Sequence, residues 1–231
     1  MNISGQNQDA LNPSQSFKLR ALLLVGAPGS GKGTQGRALN ALPCFFHCSC
    51  GDVFRSVDAG TELSRRFIEY SRAGKLMPDA LTVDLWHTHI LDACNCGKYN
   101  PATDWLVLDG IPRNVAQAQM MGSVLDVKLV FNLCCSSRQP LIDRIRRRSL
   151  KENRTDDADE AVINQRLDVY EAESQLLIKH YPACKVHNLD AIWPPHLVLR
   201  EILGRIIASE PYGGFQYDMP SVHSGLETAR T

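Results

Sequence analysis

The chain has 231 residues, of which 44% are hydrophobic and 22% charged, a composition typical of a globular protein with one sizeable core. Its 25 Lys and Arg residues balance its 25 Asp and Glu residues, so no overall field would attract nucleic acid or an acidic membrane surface, and any anion site must be local. The sequence has no apolar leader and no run of about 20 apolar residues. We therefore expect a cytoplasmic protein with no membrane or nucleic-acid partner, whose eight cysteines remain thiols.

Both ends of the chain lack the periodic apolar pattern of a packed element. Residues 1–17 are rich in Asn, Gln and Ser, and residues 209–231 contain Gly and Pro with little periodicity. We expect a flexible N-terminal arm and a loosely docked C-terminal tail on either side of one domain at 18–208.

Short apolar runs alternate with longer helical patterns through this domain. The runs predict five strands, at 19–26, 44–48, 105–110, 127–133 and 184–189. The clearest helical segments are 78–94, opened by Pro78, and 155–181, opened by Thr155 as an N-cap. Apolar strands joined by crossover helices are typical of a buried parallel sheet, so the predicted class is an α/β doubly wound sheet.

The first strand runs into the glycine-rich turn VGAPGSGKGTQ, residues 25–35. It nearly matches the phosphate-loop pattern G-x-x-x-x-G-K-[ST], but Gly33 follows Lys32 and the hydroxyl comes one residue later, on Thr34. A strand, a glycine turn and a helix in this order direct backbone N–H groups at one anion. The stretch predicts a site for a nucleoside triphosphate, with Lys32 reaching the terminal phosphates.

The stretch GAPGSGKGTQ resembles the nucleoside monophosphate kinases, and specifically the adenylate kinase family, in which a glycine between the lysine and the threonine is normal. The resemblance implies a P-loop three-layer sandwich with a central parallel five-stranded sheet, a small helical lobe for the nucleoside monophosphate at about 50–79 and a short lid at about 148–158. It also implies reversible transfer from ATP with Mg²⁺ to AMP, giving two ADP. The residues it assigns to ATP are Gly29, Ser30, Gly31, Lys32, Gly33, Thr34, Arg144 and Arg148.

Three later segments resemble the acceptor side of the same family, namely HCSCGDVFR at 47–55, GKLMPD at 74–79 and LVLDGIPRNVAQAQ at 106–119. In them Asp109 would hold Mg²⁺ through water. A carboxylate at the end of a buried strand is costly unless it serves a metal or a hydrogen-bond network, which agrees with this role. The implied ligands of the acceptor nucleotide are Cys50, Arg55, Lys75, Leu76, Met77, Gly110, Arg113 and Gln117.

The most basic stretch is LIDRIRRRSLKENRTDD, residues 141–157. It could be a helix with a solvated basic face; a nucleic-acid patch is disfavoured because the acidic DDADE follows at once. Arg144 and Arg148 lie four apart, on one helix face. The resemblance instead implies mobile arginines that clamp the transferring phosphate beneath a short lid, as in the short-lid form of the family, and leaves Arg146 and Arg147 as solvated residues. The implied catalytic residues are Lys32, Asp109, Arg113, Arg154 and Arg166.

The choice of acceptor base has conflicting indications. Cys50 stands where adenylate kinases usually carry Thr and UMP/CMP kinases Ala, and Asn114 resembles the pyrimidine kinases, whereas Gln117 resembles the adenylate enzymes. AMP is preferred because a glutamine amide can both donate to and accept from adenine. The alternatives are a UMP/CMP kinase of the same fold and a nucleotide-binding regulatory protein without catalysis.

The cysteines raise the question of a metal. Cys48 with Cys50, and Cys94 with Cys96, are spaced C-x-C, unlike the C-x₂-C of most structural zinc sites. The first pair follows a strand and the second precedes one, which puts the pairs towards opposite edges of the sheet. We expect no structural zinc, and a monomer whose partners are the nucleotides ATP, AMP and ADP. A redox role for Cys50 stays open.

Overall fold

A computed structural model of the protein describes residues 18–152 and 159–209. Its centre is a sheet of five parallel strands in the order β2-β3-β1-β4-β5. This confirms the predicted α/β class and the five-stranded parallel sheet. The strands are β1 (Leu19–Gly26), β2 (Phe45–Ser49), β3 (Trp105–Asp109), β4 (Leu125–Cys134) and β5 (Val186–Asp190).

Nine α-helices among the described residues surround this sheet. They are α1 (Lys32–Asn40), α2 (Cys50–Arg55), α3 (Glu62–Arg72), α4 (Asp79–Asn95), α5 (Val115–Met121), α6 (Gln139–Glu152), α7 (Glu160–Val169), α8 (Gln175–His180) and α9 (Pro195–Ser209). A π-helical turn, Tyr170–Ser174, joins α7 to α8. None of the helices in the described part of the chain is long and apolar enough to cross a membrane.

Short polar side chains fix where several helices begin. Ser49 accepts a hydrogen bond from the backbone N–H of Asp52 at the start of α2, and Thr61 caps α3 in the same way. The prediction that Thr155 opens the long helix was wrong: the cap is Asp159, which accepts from the N–H of Ala161, and α7 begins at Glu160. Thr155 itself lies outside the described residues.

Helices cover both faces of the sheet. Because successive side chains of each strand point to opposite faces, both sets of strand side chains are buried. Leu22, Leu24 and Phe131 pack against one helical layer, which includes Leu39 of α1 and Ile202 of α9. Their neighbours along the same strands face a second layer that draws on α2, α4, α5 and α8. The result is the three-layer sandwich that the resemblance implies.

The carboxyl ends of all five strands meet at one edge of the sheet. β1 pairs with β3 on one side and with β4 on the other, so the chain reverses its direction of winding at β1. In such sheets ligands bind in the crevice at this switch point. The glycine turn after β1, Cys50 after β2 and Gly110 after β3 all lie there.

The structure describes the segment expected for the helical lobe but only the first part of the expected lid. Helices α2 and α3 and the turn that follows them occupy the segment expected for the lobe. Helix α6 continues to Glu152 and takes up the first part of the expected lid, whereas residues 153–158 lie outside the described residues. The expected N-terminal arm and residues 210–231 of the tail also lie outside them.

Candidate functional site

A cavity of about 640 Å³ opens at the carboxyl edge of the sheet. Its lining carries two carboxylates among the described residues, Asp52 and Asp109. The lining cations far outnumber them and are Lys32, Arg37, Arg55, Lys75, Arg113, Arg144, Arg147, Arg148 and Arg166. A chain with no net charge thus concentrates positive charge in one cleft, where an anion could bind.

The glycine turn at one end of the cavity has a backbone that other residues would strain. Gly31, the N-cap of α1, has φ of 100°, and Gly29 has φ of 81°. A Cβ on Gly29 would lie 2.7 Å from the carbonyl oxygen of Leu141, so the loop also packs closely against α6. The first backbone N–H groups of α1 have no carbonyl partner within the helix, and they can bind phosphate oxygens.

Lys32 folds back over this turn. Its Nζ donates hydrogen bonds to the carbonyl oxygens of Gly26, at 2.7 Å, and Ala27, at 3.1 Å. Burial lowers the pKa of Lys32 to about 8, although Asp109 opposes the shift, and Arg113 is among the arginines that add to it. The lysine therefore lies in a field of cations that a bound polyphosphate would neutralise.

Asp109 ends β3 and is 9% exposed. Its Oδ2 lies 3.6 Å from Nε2 of His47, and a Cβ on Gly33 would lie 3.4 Å from the same oxygen. The carboxylate thus faces the start of α1. Nearby, the buried Oγ of Ser30 has no hydrogen-bond partner among the described residues, which leaves a hydroxyl that a phosphate oxygen could engage.

The other end of the cavity is built around Gly110 and Arg113. Gly110 has φ of 73°, and its carbonyl oxygen accepts a hydrogen bond from Nε of Arg113 at 2.8 Å. This leaves the two terminal nitrogens of the guanidinium for an anion. The guanidinium of Arg55 pairs with Asp52 on the same helix. Both arginines lie where a phosphate could bind between them and the glycine turn.

A largely apolar pocket continues beyond these arginines. Cys50 and Met77 are buried there, and Phe54, Phe67, Tyr70 and Leu177 also contribute to the lining. Gln117, 1% exposed, supplies a polar side chain to this pocket. Asn114 does not belong to the lining; it caps α5, accepting a hydrogen bond from the N–H of Gln117 at 2.9 Å.

At the end with the glycine turn, the cavity extends between α6 and the loop after β5. Nη1 of Arg144 donates to the carbonyl oxygen of Ala191 at 2.6 Å, which ties the helix to this loop. Trp193 and Pro195 complete the lining here. Arg146 pairs with Glu160 at 2.6 Å, away from the cavity. Arg147 was predicted to be a solvated residue, and although it is exposed it also contributes to the lining.

The structure brings the site residues expected from the sequence into this one cavity, apart from Arg154, which lies outside the described residues. Those that line it are Gly29, Ser30, Gly31, Lys32, Gly33, Thr34, Cys50, Arg55, Lys75, Leu76, Met77, Asp109, Gly110, Arg113, Gln117, Arg144, Arg148 and Arg166. Sequence reasoning missed Arg37, Tyr70, Thr82 and Trp193, which also line it. Arg37 follows Lys32 by five residues on α1, but nothing local marks the other three.

The cysteines are free thiols throughout the described part of the chain. Burial raises the pKa of Cys50, against the opposing effect of Arg113, and burial likewise raises the pKa of Cys48. A thiol with a raised pKa is a poor nucleophile and a poor metal ligand at neutral pH. No group of three or more His, Cys, Asp or Glu side chains in residues 18–150 and 159–209 is arranged to hold a metal ion.

Comparison with known proteins agrees with this geometry. The family model described as "Adenylate kinase" matches residues 24–186. The chain is 35% identical over 171 residues to an adenylate kinase of Corynebacterium urealyticum, covering 74% of this chain and 90% of that protein. It is 36% identical over 192 residues to an adenylate kinase of Desulforudis audaxviator (69% and 86%), and 34% over 180 residues to one of Thermobifida fusca (75% and 90%). Its glycine turn, parallel sheet and extended similarity show that the chain belongs to the adenylate kinase family.

Proposed function

We propose that this protein is a nucleoside monophosphate kinase that moves the γ-phosphoryl group of ATP reversibly to AMP, giving two ADP. The observation that carries the proposal is the shared cavity, in which the glycine turn and the Arg113–Gln117 pocket are parts of one lining. Two nucleotides bound at these two ends would meet with their phosphates between them. Similarity to proteins named adenylate kinase supports the same reaction.

Phosphoryl transfer requires little covalent chemistry from the protein. The rate of the reaction depends mainly on aligning donor and acceptor and on placing positive charge around the transferring group. In the proposed reaction the turn and Lys32 hold the donor phosphates, and Arg55 and Arg113 hold the acceptor phosphate. Arg148 and Arg166 contact the group in transit, and Arg144 lies against the donor base. Arg154 is assigned to the same clamp by family resemblance alone.

Magnesium enters this reaction as part of the ATP complex. The chemistry of the donor set fits it: Asp109 is a nearly buried carboxylate facing the start of α1, and Mg²⁺ prefers oxygen ligands and keeps several waters. We assign Asp109 to hold the ion through water, with the unpartnered Ser30 hydroxyl directed at the phosphates. When bound, the ion neutralises phosphate charge; orientation and exclusion of water are left to the protein side chains.

The position of Asn114 removes one indication of a pyrimidine acceptor. Asn114 is committed to capping α5 and to the carboxylate of Asp79, so its resemblance to the pyrimidine kinases does not require a contact with the base. Gln117 contributes to the cavity lining and Asn114 does not. Cys50 adds only a weakly hydrogen-bonding thiol beside the base, so it contributes less than Gln117 to the choice of base.

Purified protein with ATP, Mg²⁺ and AMP, CMP, UMP or GMP offered separately tests the proposal through kcat/KM for each acceptor. We expect AMP to be used best, with little hydrolysis of ATP in the absence of acceptor. A preference for CMP or UMP would retain the kinase and overturn the role of Gln117. ATP binding without transfer to any acceptor would indicate a regulatory protein.

A further inference from the structure

The carboxamide of Gln117 is held at both of its polar atoms. Its Nε2 donates a hydrogen bond to Oδ1 of Asp79 at 2.7 Å, and its Oε1 accepts one from the backbone N–H of Arg113 at 2.8 Å. The side chain is almost entirely buried and forms part of the cavity lining. Its orientation is therefore a property of the folded protein before any nucleotide binds.

These two partners leave the amide one orientation. A carboxylate can only accept a hydrogen bond and a backbone N–H can only donate one. An inverted amide would set its oxygen against the carboxylate of Asp79 and its NH₂ group against the N–H of Arg113. Both hydrogen bonds would be lost inside a buried site, where an unpaired polar group is costly. Asp79 and the N–H of Arg113 together therefore prevent the Gln117 side chain from turning over.

Other groups hold Asp79 in place as an acceptor. Nδ2 of Asn114 donates to both of its oxygens, at 3.1 and 3.3 Å. The side-chain oxygen of Asn114 accepts from the backbone N–H of Gln117, so the three residues form one closed network. Asp79 is also the first residue of α4, where the unpaired N–H groups of the helix favour a negative charge.

The orientation matters because each amide atom retains capacity for one more partner, a hydrogen on Nε2 and a lone pair on Oε1. Adenine presents an amino donor beside a ring-nitrogen acceptor, and cytosine presents the same order. Hypoxanthine and uracil present the reverse, an oxygen acceptor beside an N–H donor. A fixed amide can match only one order while the phosphate end of the nucleotide is held at Arg113.

We propose that Asp79 is a positioning residue that locks the Gln117 carboxamide and thereby limits the acceptor to bases with an amino group beside a ring-nitrogen acceptor, excluding their oxo counterparts. The proposal rests on the proposed function, because AMP as acceptor determines which of the two orders the amide matches. A Gln117 amide that could turn freely would suit either base. The contact with Asp79 therefore provides a discrimination between bases that Gln117 alone would not.

The test compares AMP with inosine 5′-monophosphate, which has nearly the same shape and the reversed edge. In the wild-type protein we expect kcat/KM to favour AMP by about a hundredfold or more. Asp79→Asn, whose amide can either donate or accept, leaves only the N–H of Arg113 to oppose an inverted Gln117 amide, so this ratio should fall by about tenfold or more. The loss should appear mainly as a change in the two acceptor KM values, with the KM for ATP unchanged.

Two controls separate positioning from structural damage. Asp79→Glu restores an acceptor-only group and should recover part of the discrimination that Asp79→Asn loses. Asp84→Asn makes the same chemical change on an exposed residue of the same helix and should leave the ratio as in the wild type. An Asp79→Asn protein that transfers to AMP and keeps the full ratio would overturn the lock.

The wild-type protein tests the proposal even if Asp79→Asn fails to fold. A fixed amide requires AMP to be used better than inosine monophosphate, and CMP better than UMP. Equal use of the members of either pair would overturn the lock while leaving the kinase intact. Failure to transfer to any of the four acceptors, with ATP bound, would instead overturn the proposed function and the lock with it.

Discussion

The imidazole of His47 stands where a side chain on Gly36 would have to lie: a Cβ at Gly36 would overlap Nε2 and come within 2.7 Å of Cε1. The same imidazole reaches towards Asp109, with Nε2 3.6 Å from Oδ2. Gly36 in α1 is therefore what allows β2 to place a histidine against the carboxylate that faces the glycine turn. A glycine inside a helix normally lowers stability relative to alanine. At Gly36 the ring of His47 occupies the space that a larger side chain would need, which explains the glycine.

Gly36→Ala should accordingly destabilise the protein, although alanine is the better helix former. Displacing the ring should cost about 1–3 kcal/mol of the free energy of unfolding, as overpacking of a core does, and should lower kcat by disturbing Asp109. Thermal unfolding and steady-state kinetics measure the two effects.

Gly204→Ala is the matched control for this change. Gly204 is exposed within α9, and a Cβ there would meet nothing within 4 Å. It should gain about 0.5–1 kcal/mol in the free energy of unfolding and leave kcat unaltered. Equal gains from both substitutions would show that His47 does not need the space at Gly36.

Lys32 should make ATP binding depend on pH in the alkaline range. Its pKa is about 8 in the free protein, and bound phosphates favour the charged form, which raises the pKa in the complex. Affinity should therefore be greatest below pH 8 and weaken as the pH rises, by up to about tenfold per pH unit until the pKa of the complex is reached. Equilibrium dialysis of ATP with Mg²⁺ measures this.

Lys32→Ala removes the titrating group and identifies its contribution. The variant should bind ATP more weakly at neutral pH and lose the alkaline dependence. Turnover should be abolished because the cation of the glycine turn is no longer there to stabilise the transferring phosphate. An alkaline slope that persists in Lys32→Ala would assign the titration to another group, and unchanged turnover would refute the catalytic role of Lys32.

Arg113→Ala should weaken use of the acceptor much more than binding of the donor. Charge-assisted hydrogen bonds are worth about 1.5–3 kcal/mol, so the KM for AMP should rise about tenfold to a hundredfold. Arg55→Ala should act in the same direction, because it removes the other guanidinium assigned to the acceptor phosphate and leaves the carboxylate of Asp52, its ion-pair partner, in the cavity lining. Initial-rate kinetics with AMP and ATP varied separately distinguish the two substrates.

Arg146→Ala serves as the control for these arginines. Arg146 lies on α6 close to Arg148 in sequence, but it is exposed and pairs with Glu160 rather than lining the cavity. Exposed ion pairs contribute little, so its kinetics should match the wild type. Normal AMP kinetics in Arg113→Ala would show that the guanidinium does not bind the acceptor.

Cys50 should be slow to react in spite of its place beside the acceptor pocket. Burial raises its pKa and keeps it protonated, whereas Cys96 and Cys184 are exposed. Iodoacetamide near neutral pH should label Cys96 and Cys184 first and reach Cys50 only on unfolding. Peptide mass spectrometry resolves the order, and labelling of Cys50 in the folded protein as fast as Cys96 would reopen a redox role for it.

The parts of the fold that could be predicted are those in which local sequence and buried environment agree. Each strand is apolar because both faces of the sheet are covered, so LRALLLVG and WLVLDG were recognisable without tertiary information. β4 begins two residues before its predicted start because Leu125 and Asp126 pair with Leu19 and Arg20 of β1, a contact that the local sequence does not indicate. The π-helical turn at Tyr170 differs from an α-helix in that its backbone hydrogen bonds span one residue more, and it has no sequence pattern of its own.

The site residues likewise separate into those that a local motif indicates and those that only tertiary packing brings to the cavity. Contiguous motifs predicted the glycine turn and the segments around Arg55 and Asp109, because neighbours in sequence are neighbours in the site. Trp193 and Thr82 reach the cavity only through the packing of distant segments. The contact between Asp79 and Gln117 joins residues 38 positions apart, and no local pattern indicates it.

In the proposed function, the two ends of the cavity hold a donor and an acceptor for direct phosphoryl transfer. The most direct measurement follows a label in the γ-phosphate of ATP, with Mg²⁺ and AMP present. We predict that the label appears in ADP formed from AMP, with little inorganic phosphate, and that this transfer is lost in Lys32→Ala. Release of the label as inorganic phosphate, or its retention in ATP with both nucleotides bound, would contradict the account.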